Sequence, residues 1–286
     1  MSEIKLSVII STYNSEAWLE KVLWGYEMQD YRDFEVVVAD DGSGPKTGML
    51  LESLKEKVSY PLIHVWHKDD GFQKTKILNK AILACNTEYI VMSDGDCIPR
   101  SDFLTIHDRY KQNGYFLSGG YFKLPMNISE EISKNDIFSK NCFNINWLKK
   151  HGLKSSIKNN KITARGFKSK LLNFITPTNA SWNGHNASGW KKDILAVNGF
   201  DERMQYGAED REFGERLFNH GIKSKQIRYS AICIHLDHKR GYIDAKALDK
   251  NKAIRKHTIN SKSDWTPYGI VKGEKGKDKE RLRFTA

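Results

Sequence analysis

The chain has 286 residues, 39% of them hydrophobic and 11% aromatic, enough for one large α/β domain or two small ones around a real core. No run approaches the roughly 20 apolar residues of a membrane-crossing helix, and the opening MSEIKLSVIISTYN lacks a signal-peptide pattern, so a cytoplasmic protein is expected. The net charge of +11 sits in one place: no acidic residue falls between Asp136 and Asp193, where Lys and Arg occur eleven times, leaving the remainder neutral.

That acid-free stretch suits a polyanion, whether lipid phosphates, an anionic glycan or nucleic acid, as well as it suits a solvated lysine-rich loop. The four cysteines, Cys85, Cys97, Cys142 and Cys233, show no Cys-x-x-Cys or zinc-ribbon spacing and are expected as reduced packing residues.

In chain order, the first hundred residues alternate short apolar runs with amphipathic segments. Strands are predicted at 6–10, 34–39, 62–66 and 89–92, and helices at 18–28, 46–57 and 75–85. Continuously apolar strands separated by helices imply a parallel sheet covered on both faces, with ligands at the carboxyl edge. Polar clusters fall at that edge: Ser11 to Asn14 after the first strand, Asp40 to Ser43 after the second, Ser93 to Asp96 after the fourth. From about 122 to 178 an Asn- and Lys-rich stretch shows few clean periods, compact motifs follow at 181–238, and a charged tail begins near 246. Its last portion, 272–283, has almost no apolar content and no readable function.

Asp94-Gly95-Asp96 ends an apolar strand, where two carboxylates flanking a glycine can offer oxygens to a hard divalent ion. Alone, the triplet equally fits a strand-to-loop turn. The order of the motifs is more specific. SVIISTYN, VVVADDGSG, DDGFQKTKILNKAI and YIVMSDGDCIP together resemble the nucleotide-binding half of family 2 glycosyltransferases, which have the GT-A fold. The run NASGWKKDILAVNGFDERMQYGAEDREFGERL is similar to their acceptor half, shared with β-1,4-galactosyltransferases and chondroitin-type polymerases. The resemblance covers about residues 4–240.

It implies an α/β, GT-A-like fold: a Rossmann-like nucleotide-binding half with a central mixed sheet flanked by helices, plus an acceptor-binding half. The expected organisation is one domain over 1–240, with halves 1–100 and 101–240, a basic insertion at about 123–178, and a charged C-terminal extension over 241–286. The implied donor contacts are Ser11, Tyr13, Asn14, Asp41, Asp94 and Gly95, with Lys76 and Asn79 matching inward-facing positions of the next helix. Lys74 fits a phosphate contact or a solvated basic face.

Asp96 is the implied metal ligand, for Mn²⁺ or Mg²⁺, completed by His235 after a late strand. Strand alternation argues that only one of His235 and His238 reaches the metal unless the strand ends between them, and the resemblance selects His235, leaving His238 for phosphate or acceptor. His64, His67 and His220 need only surface or packing roles. Asp210 resembles the general base of the family's Glu-Asp pair and Glu209 its acceptor-orienting partner, with Tyr206 and Asn186 on the acceptor side. Acidic residues in a first helical turn are also favoured by the helix dipole without any catalysis. Tyr206 stands where the family often has Trp, which preserves an aromatic platform but loosens the acceptor assignment.

The expected reaction is inverting transfer of a hexose or N-acetylhexosamine (galactose, N-acetylgalactosamine or glucose type) from a UDP-sugar to a glycan or glycolipid hydroxyl, such as a lipopolysaccharide or capsule precursor. The basic stretch would bind an anionic acceptor or an anionic membrane surface at the inner face, with no nucleic acid involved. The rivals are a metal-dependent nucleotidyltransferase, disfavoured because STYNSEAW has neither the glycine nor the lysine of a phosphate loop, and a non-enzymatic basic nucleic-acid-binding protein.

Overall fold

A computed structural model describes residues 3–239 and 244–273. Its elements in chain order are β1 (Leu6–Thr12), α1 (Glu16–Glu27), β2 (Phe34–Asp40), α2 (Pro45–Lys55), β3 (Leu62–Trp66), α3 (Lys74–Ala84), β4 (Tyr89–Asp94), β5 (Cys97–Pro99) and α4 (Phe103–Tyr110). There follow β6 (Tyr115–Ser118), β7 (Gly120–Lys123), α5 (Met126–Glu131), α6 (Lys134–Phe138), α7 (Ile145–Lys150), α8 (Asn160–Thr163) and α9 (Gly166–Ile175). The last are β8 (Ala187–Trp190), α10 (Lys191–Ala196), α11 (Glu209–Asn219), β9 (Lys223–Gln226), β10 (Ile232–His235) and α12 (Ala245–Ser261).

Seven strands form one mixed sheet in the order β3-β2-β1-β4-β8-β6-β9. The first four run parallel, as their apolar sequences require: every residue of β2 is buried, because helices cover both faces. Alternation then divides the core. Val8, Ile10, Val36 and Val91 point into one apolar cluster, while Ile9, Val37, Ile90 and Met92 point into the other.

β8 continues the sheet antiparallel to β4, pairing Met92 with Ala187, so the two halves share one hydrogen-bonded sheet. A second sheet, β5-β10-β7, lies at the carboxyl edge of β4. Its register sets His235 opposite Cys97, next in sequence to Asp96. The stretch at 123–178 is neither strand-forming nor bare loop, since α5 to α9 are short helices whose Ile128, Ile137, Leu148 and Ile162 join the first cluster.

All four cysteines are buried and free. No helix among the described residues is long and apolar enough to cross a membrane. Part of the expected C-terminal extension is built into the fold: α12 packs on α11, and Asn198 binds the carbonyls of Thr266 and Val271, each at 2.7 Å. Most of the charged segment 272–283 lies outside the described residues.

Candidate active site

The carboxyl ends of β1, β2 and β4 meet in a cleft of about 660 Å³, a size suited to a nucleotide-sized ligand. Register makes the meeting inevitable, for Ser11 pairs with Asp94 and Thr12 with Asp40. Gly95 then approaches β1 so closely that a Cβ there would lie 2.9 Å from the Ser11 carbonyl, and its N–H donates to that oxygen at 2.8 Å.

Asp94 accepts hydrogen bonds from Ser11 Oγ and Lys74 Nζ, both at 2.7 Å. Burial pushes its carboxyl up, but the Lys74 ammonium more than offsets this and holds it well below the usual carboxylate range. Lys74 is likewise opposed by burial, yet Asp94, Asp210 and Glu209 keep it firmly protonated.

Asp41 is held at 2.8 Å by His67 Nε2 and at 2.9 Å by the Gln73 N–H, so His67 orients a cleft residue. Tyr13, 49% exposed, donates to Asp69 at 3.0 Å and offers a ring face at the cleft mouth. Asn14 lines the cleft in a left-handed turn (φ 44°), with its side-chain oxygen taken by the Gly44 N–H.

At the other end of the Asp-Gly-Asp turn, Asp96 meets both histidines. Its Oδ2 lies 3.0 Å from His238 Nε2 and 3.7 Å from His235 Nε2, and the two rings stack at 5.6 Å. The expectation that only one could arrive assumed a continuing strand. β10 ends at His235, so the chain is free to curl His238 back.

In each imidazole Nδ1 faces a backbone carbonyl, Leu236 O for His235 and Lys239 O for His238, to which it donates, leaving Nε2 turned toward Asp96. Imidazole nitrogens beside a carboxylate oxygen make a mixed nitrogen–oxygen set, which suits a cation of Mn²⁺ type better than Mg²⁺, whose preferred ligands are oxygens. Cys97 Sγ lies 3.3 Å from Asp96 Oδ1, and with Asp96 and His235 it forms a group whose possible ligand atoms all lie within 4.8 Å of one another.

The third component opens α11. Gly207 (φ 105°) and Ala208 (φ 67°) turn the chain left-handed just before Glu209 and Asp210. Asp210 Oδ2 accepts from the Gly184 N–H at 2.8 Å, while its Oδ1 is shielded from solvent with no hydrogen-bond partner. Burial raises the Asp210 carboxyl against the pull of Lys74. Glu209 is pushed up to about 7 by burial and by the charge of Asp210. Facing them is His185, edge-on to Tyr121 at 4.6 Å, which burial drives down to about 4, a neutral imidazole.

The sequence profile described as "Glycosyl transferase family 2" matches residues 7–171, more than half the chain. The chain belongs to glycosyl transferase family 2. Residues 177–239 match a second profile, "N-terminal domain of galactosyltransferase", which covers the segment carrying Glu209, Asp210 and both histidines.

An uncharacterized glycosyltransferase of Bacillus subtilis, YfnE, is 25% identical over 82% of this chain and 65% of its own length. Chondroitin synthase of Escherichia coli is 25% identical over 94% of the chain but only 40% of its own length. The chain therefore spans less than two thirds of either relative. Among solved structures, S. aureus TarS 1-349 in complex with UDP-GlcNAc superposes with a TM-score of 0.59 at 17% identity, covering 90% of this chain and 66% of that one. Mannosyltransferase PcManGT from Pyrobaculum calidifontis in complex with GDP-Man and Mn²⁺ gives 0.55 at 18%, covering 91% and 70%. The GT-A-like mixed α/β fold expected from the motifs is the fold of this chain.

In this family 2 chain the cleft gathers Ser11, Tyr13, Asn14, Asp41, Asp94, Gly95, Asp96, Tyr206, Glu209, Asp210, His235 and His238. Three expected residues are elsewhere. Lys76 is off the cleft wall, since α3 presents Lys74 there, on the side of Ile77, Leu78 and Ala81. Asn79 is 3% exposed and binds both backbone groups of Phe200, at 2.8 and 2.9 Å, as a strut between halves. Asn186 is fully buried, its amide divided among His107 and the carbonyls of Gly120 and Ala231, so it supports the acceptor side without touching ligand. His185, Trp18 and Tyr121 line the cleft without having been singled out, and Lys74, for which the sequence left a phosphate contact or a solvated face open, lines it too.

Proposed function

We propose that the chain transfers a hexose or N-acetylhexosamine from a UDP-sugar to a hydroxyl of a glycan or glycolipid precursor, with inversion at the anomeric carbon. The observation that carries this is the Asp210 carboxylate: one oxygen is fixed by a backbone N–H, the other is unpartnered, and both share a cleft with the Asp94–Asp96 turn.

In this reading Tyr13 and Asp41 receive the uracil, Asp94 and Ser11 the ribose side, and Asp96, His235 and His238 hold a divalent cation. Such a cation supplies positive charge beside the donor diphosphate when bound. Asp210 takes the proton from the acceptor hydroxyl as that oxygen attacks the anomeric carbon, and the nucleoside diphosphate departs from the opposite face. An α-linked donor then gives a β-linked product. Lys74 keeps Asp210 ionised enough to act, and Glu209, raised toward neutrality, is suited to hold the acceptor's hydroxyls. The UDP-GlcNAc and Mn²⁺ of the structural relatives, and chondroitin synthase among the sequence relatives, support the donor, the cation and a polysaccharide-type acceptor, which this reading takes to be a lipopolysaccharide or capsule precursor met on the cytoplasmic side.

The test is a turnover screen of UDP-, GDP- and dTDP-sugars with and without Mn²⁺, repeated on Asp96→Ala and Asp210→Asn. We expect cation-dependent turnover of a UDP-sugar, its loss by roughly 10²–10⁴-fold in Asp210→Asn with UDP binding retained, and weakened Mn²⁺ binding in Asp96→Ala. Undiminished transfer by Asp210→Asn would falsify the assignment.

A further inference from the structure

α9, in the basic acid-free stretch, is built inside out. Its inward face carries Ser169 and Asn173, fixed by hydrogen bonds: Asn173 Nδ2 donates to Ser230 Oγ at 2.9 Å and Asn173 Oδ1 accepts from the Tyr229 N–H at 2.8 Å. Its outward face carries Phe167, Leu171, Phe174 and Ile175, which are 80%, 46%, 88% and 57% exposed. With about 100° of rotation per residue these four fall within an arc of about 100°, opposite the buried face, and Lys170 and Lys168 border the arc on its two sides. A surface helix in water normally does the reverse. Ile157, 88% exposed, adds to the same region, since Lys168 reaches back to Asn160 in the turn that follows it.

We infer that α9 is an interfacial helix that seats the protein on an anionic lipid surface. An apolar stripe bordered by lysines matches the boundary between acyl chains and headgroups, where the rings enter the hydrocarbon and the ammonium groups meet lipid phosphates. Charge selects this occupant. With no acidic residue between Asp136 and Asp193, a second copy would bring like charge against like, and the aliphatic Ile157, Leu171 and Ile175 of the stripe give nucleic-acid bases no ring to stack on. The seat belongs to the same body as the cleft, because Asn173 grips Tyr229 and Ser230 just before β10, whose far end bears His235.

The test is flotation of the full chain with phosphatidylglycerol-containing vesicles and with pure phosphatidylcholine vesicles, on the natural protein, Phe167→Ser/Phe174→Ser, and Lys168→Glu/Lys170→Glu. These side chains are exposed, so folding is expected to survive, and matched Tm values verify it. We expect binding to the anionic vesicles only, weakened at least about 10-fold in each double variant, and a blue shift of the added fluorophore in Phe174→Trp. UDP-sugar hydrolysis without lipid stays unchanged in all variants, so loss of vesicle binding is separable from failure of the proposed reaction. Absence of vesicle binding, binding that survives the loss of both phenylalanines, or a self-association that the Phe167→Ser/Phe174→Ser variant abolishes would each overturn the inference.

Discussion

Glu209 and Asp210 are neighbouring carboxyls in a buried cleft, and the fold tolerates them because Lys74 lies within electrostatic reach of both. The tolerance is pH-dependent. Glu209 titrates near 4.5 when exposed and about 7 when folded, so between these values the native state binds the extra proton and stability falls as pH rises. The share is on the order of 3 kcal/mol, fully present below about pH 4.5 and lost once pH passes about 7. Denaturant unfolding at pH 5 and pH 8 should therefore show a larger drop in the natural protein than in Glu209→Gln. Equal drops would mean that Glu209 is not held protonated. At this scale the sequence was legible where residues end or follow strands, as Asp94, Asp96 and His235 do, and where a motif opens a helix, as Asp210 does: all four reach the cleft. Lys76, which the motif puts inward, is off the cleft wall because helix geometry sets Lys74 on the side of Ile77, Leu78 and Ala81. His185 left no signal, because its neighbours Tyr121 and His235 are distant in sequence and meet it only through sheet pairing.

α12 explains how the acid pair stays aimed. Asn251, fully buried, donates its one amide to the carbonyls of Gln205, Tyr206 and Gly207, and Leu248 occupies the space a Cβ on Gly207 would need, at 2.3 Å. Thr258 of the same helix donates to Glu212, itself paired with the buried Arg216. Asn251 is thus a positioning residue. We expect Asn251→Ala to lower kcat by on the order of 10- to 100-fold with UDP affinity unchanged, because the loop that sets Glu209 and Asp210 loosens while the nucleotide wall does not. A proportional loss of UDP affinity would instead show general unfolding. This helix was invisible as a functional element, since its sequence reads as a charged tail and only α11 reveals its inward face. By contrast, the seven elements predicted in the first hundred residues fall within two residues of their bounds at every end, because continuous apolar strands and helical periodicity are strong local signals, while the three-residue β5 went unpredicted. β6, β8 and β9 have four residues each, too short for a period to show, and ASGW is neither apolar nor alternating.

At the scale of the whole molecule, the two halves share one sheet through β4 and β8, and α3 fastens them again: Thr75 donates to the Met204 carbonyl and Asn79 to that of Phe200, the latter also accepting the Phe200 N–H. Two halves joined this way should unfold together, with buried Trp24 in one and Trp182 in the other reporting a single transition. Asn79→Ala separates the structural assignment from the donor contact that the motif implied. It strips two buried backbone groups of their partner, which costs about 1–3 kcal/mol and should lower the Tm of a chain this long by roughly 2–5 °C. Because Asn79 is off the cleft wall, UDP affinity measured well below Tm should match that of the natural protein. An unchanged Tm with weakened UDP binding would return Asn79 to the donor site and break the argument that the halves are fastened through it.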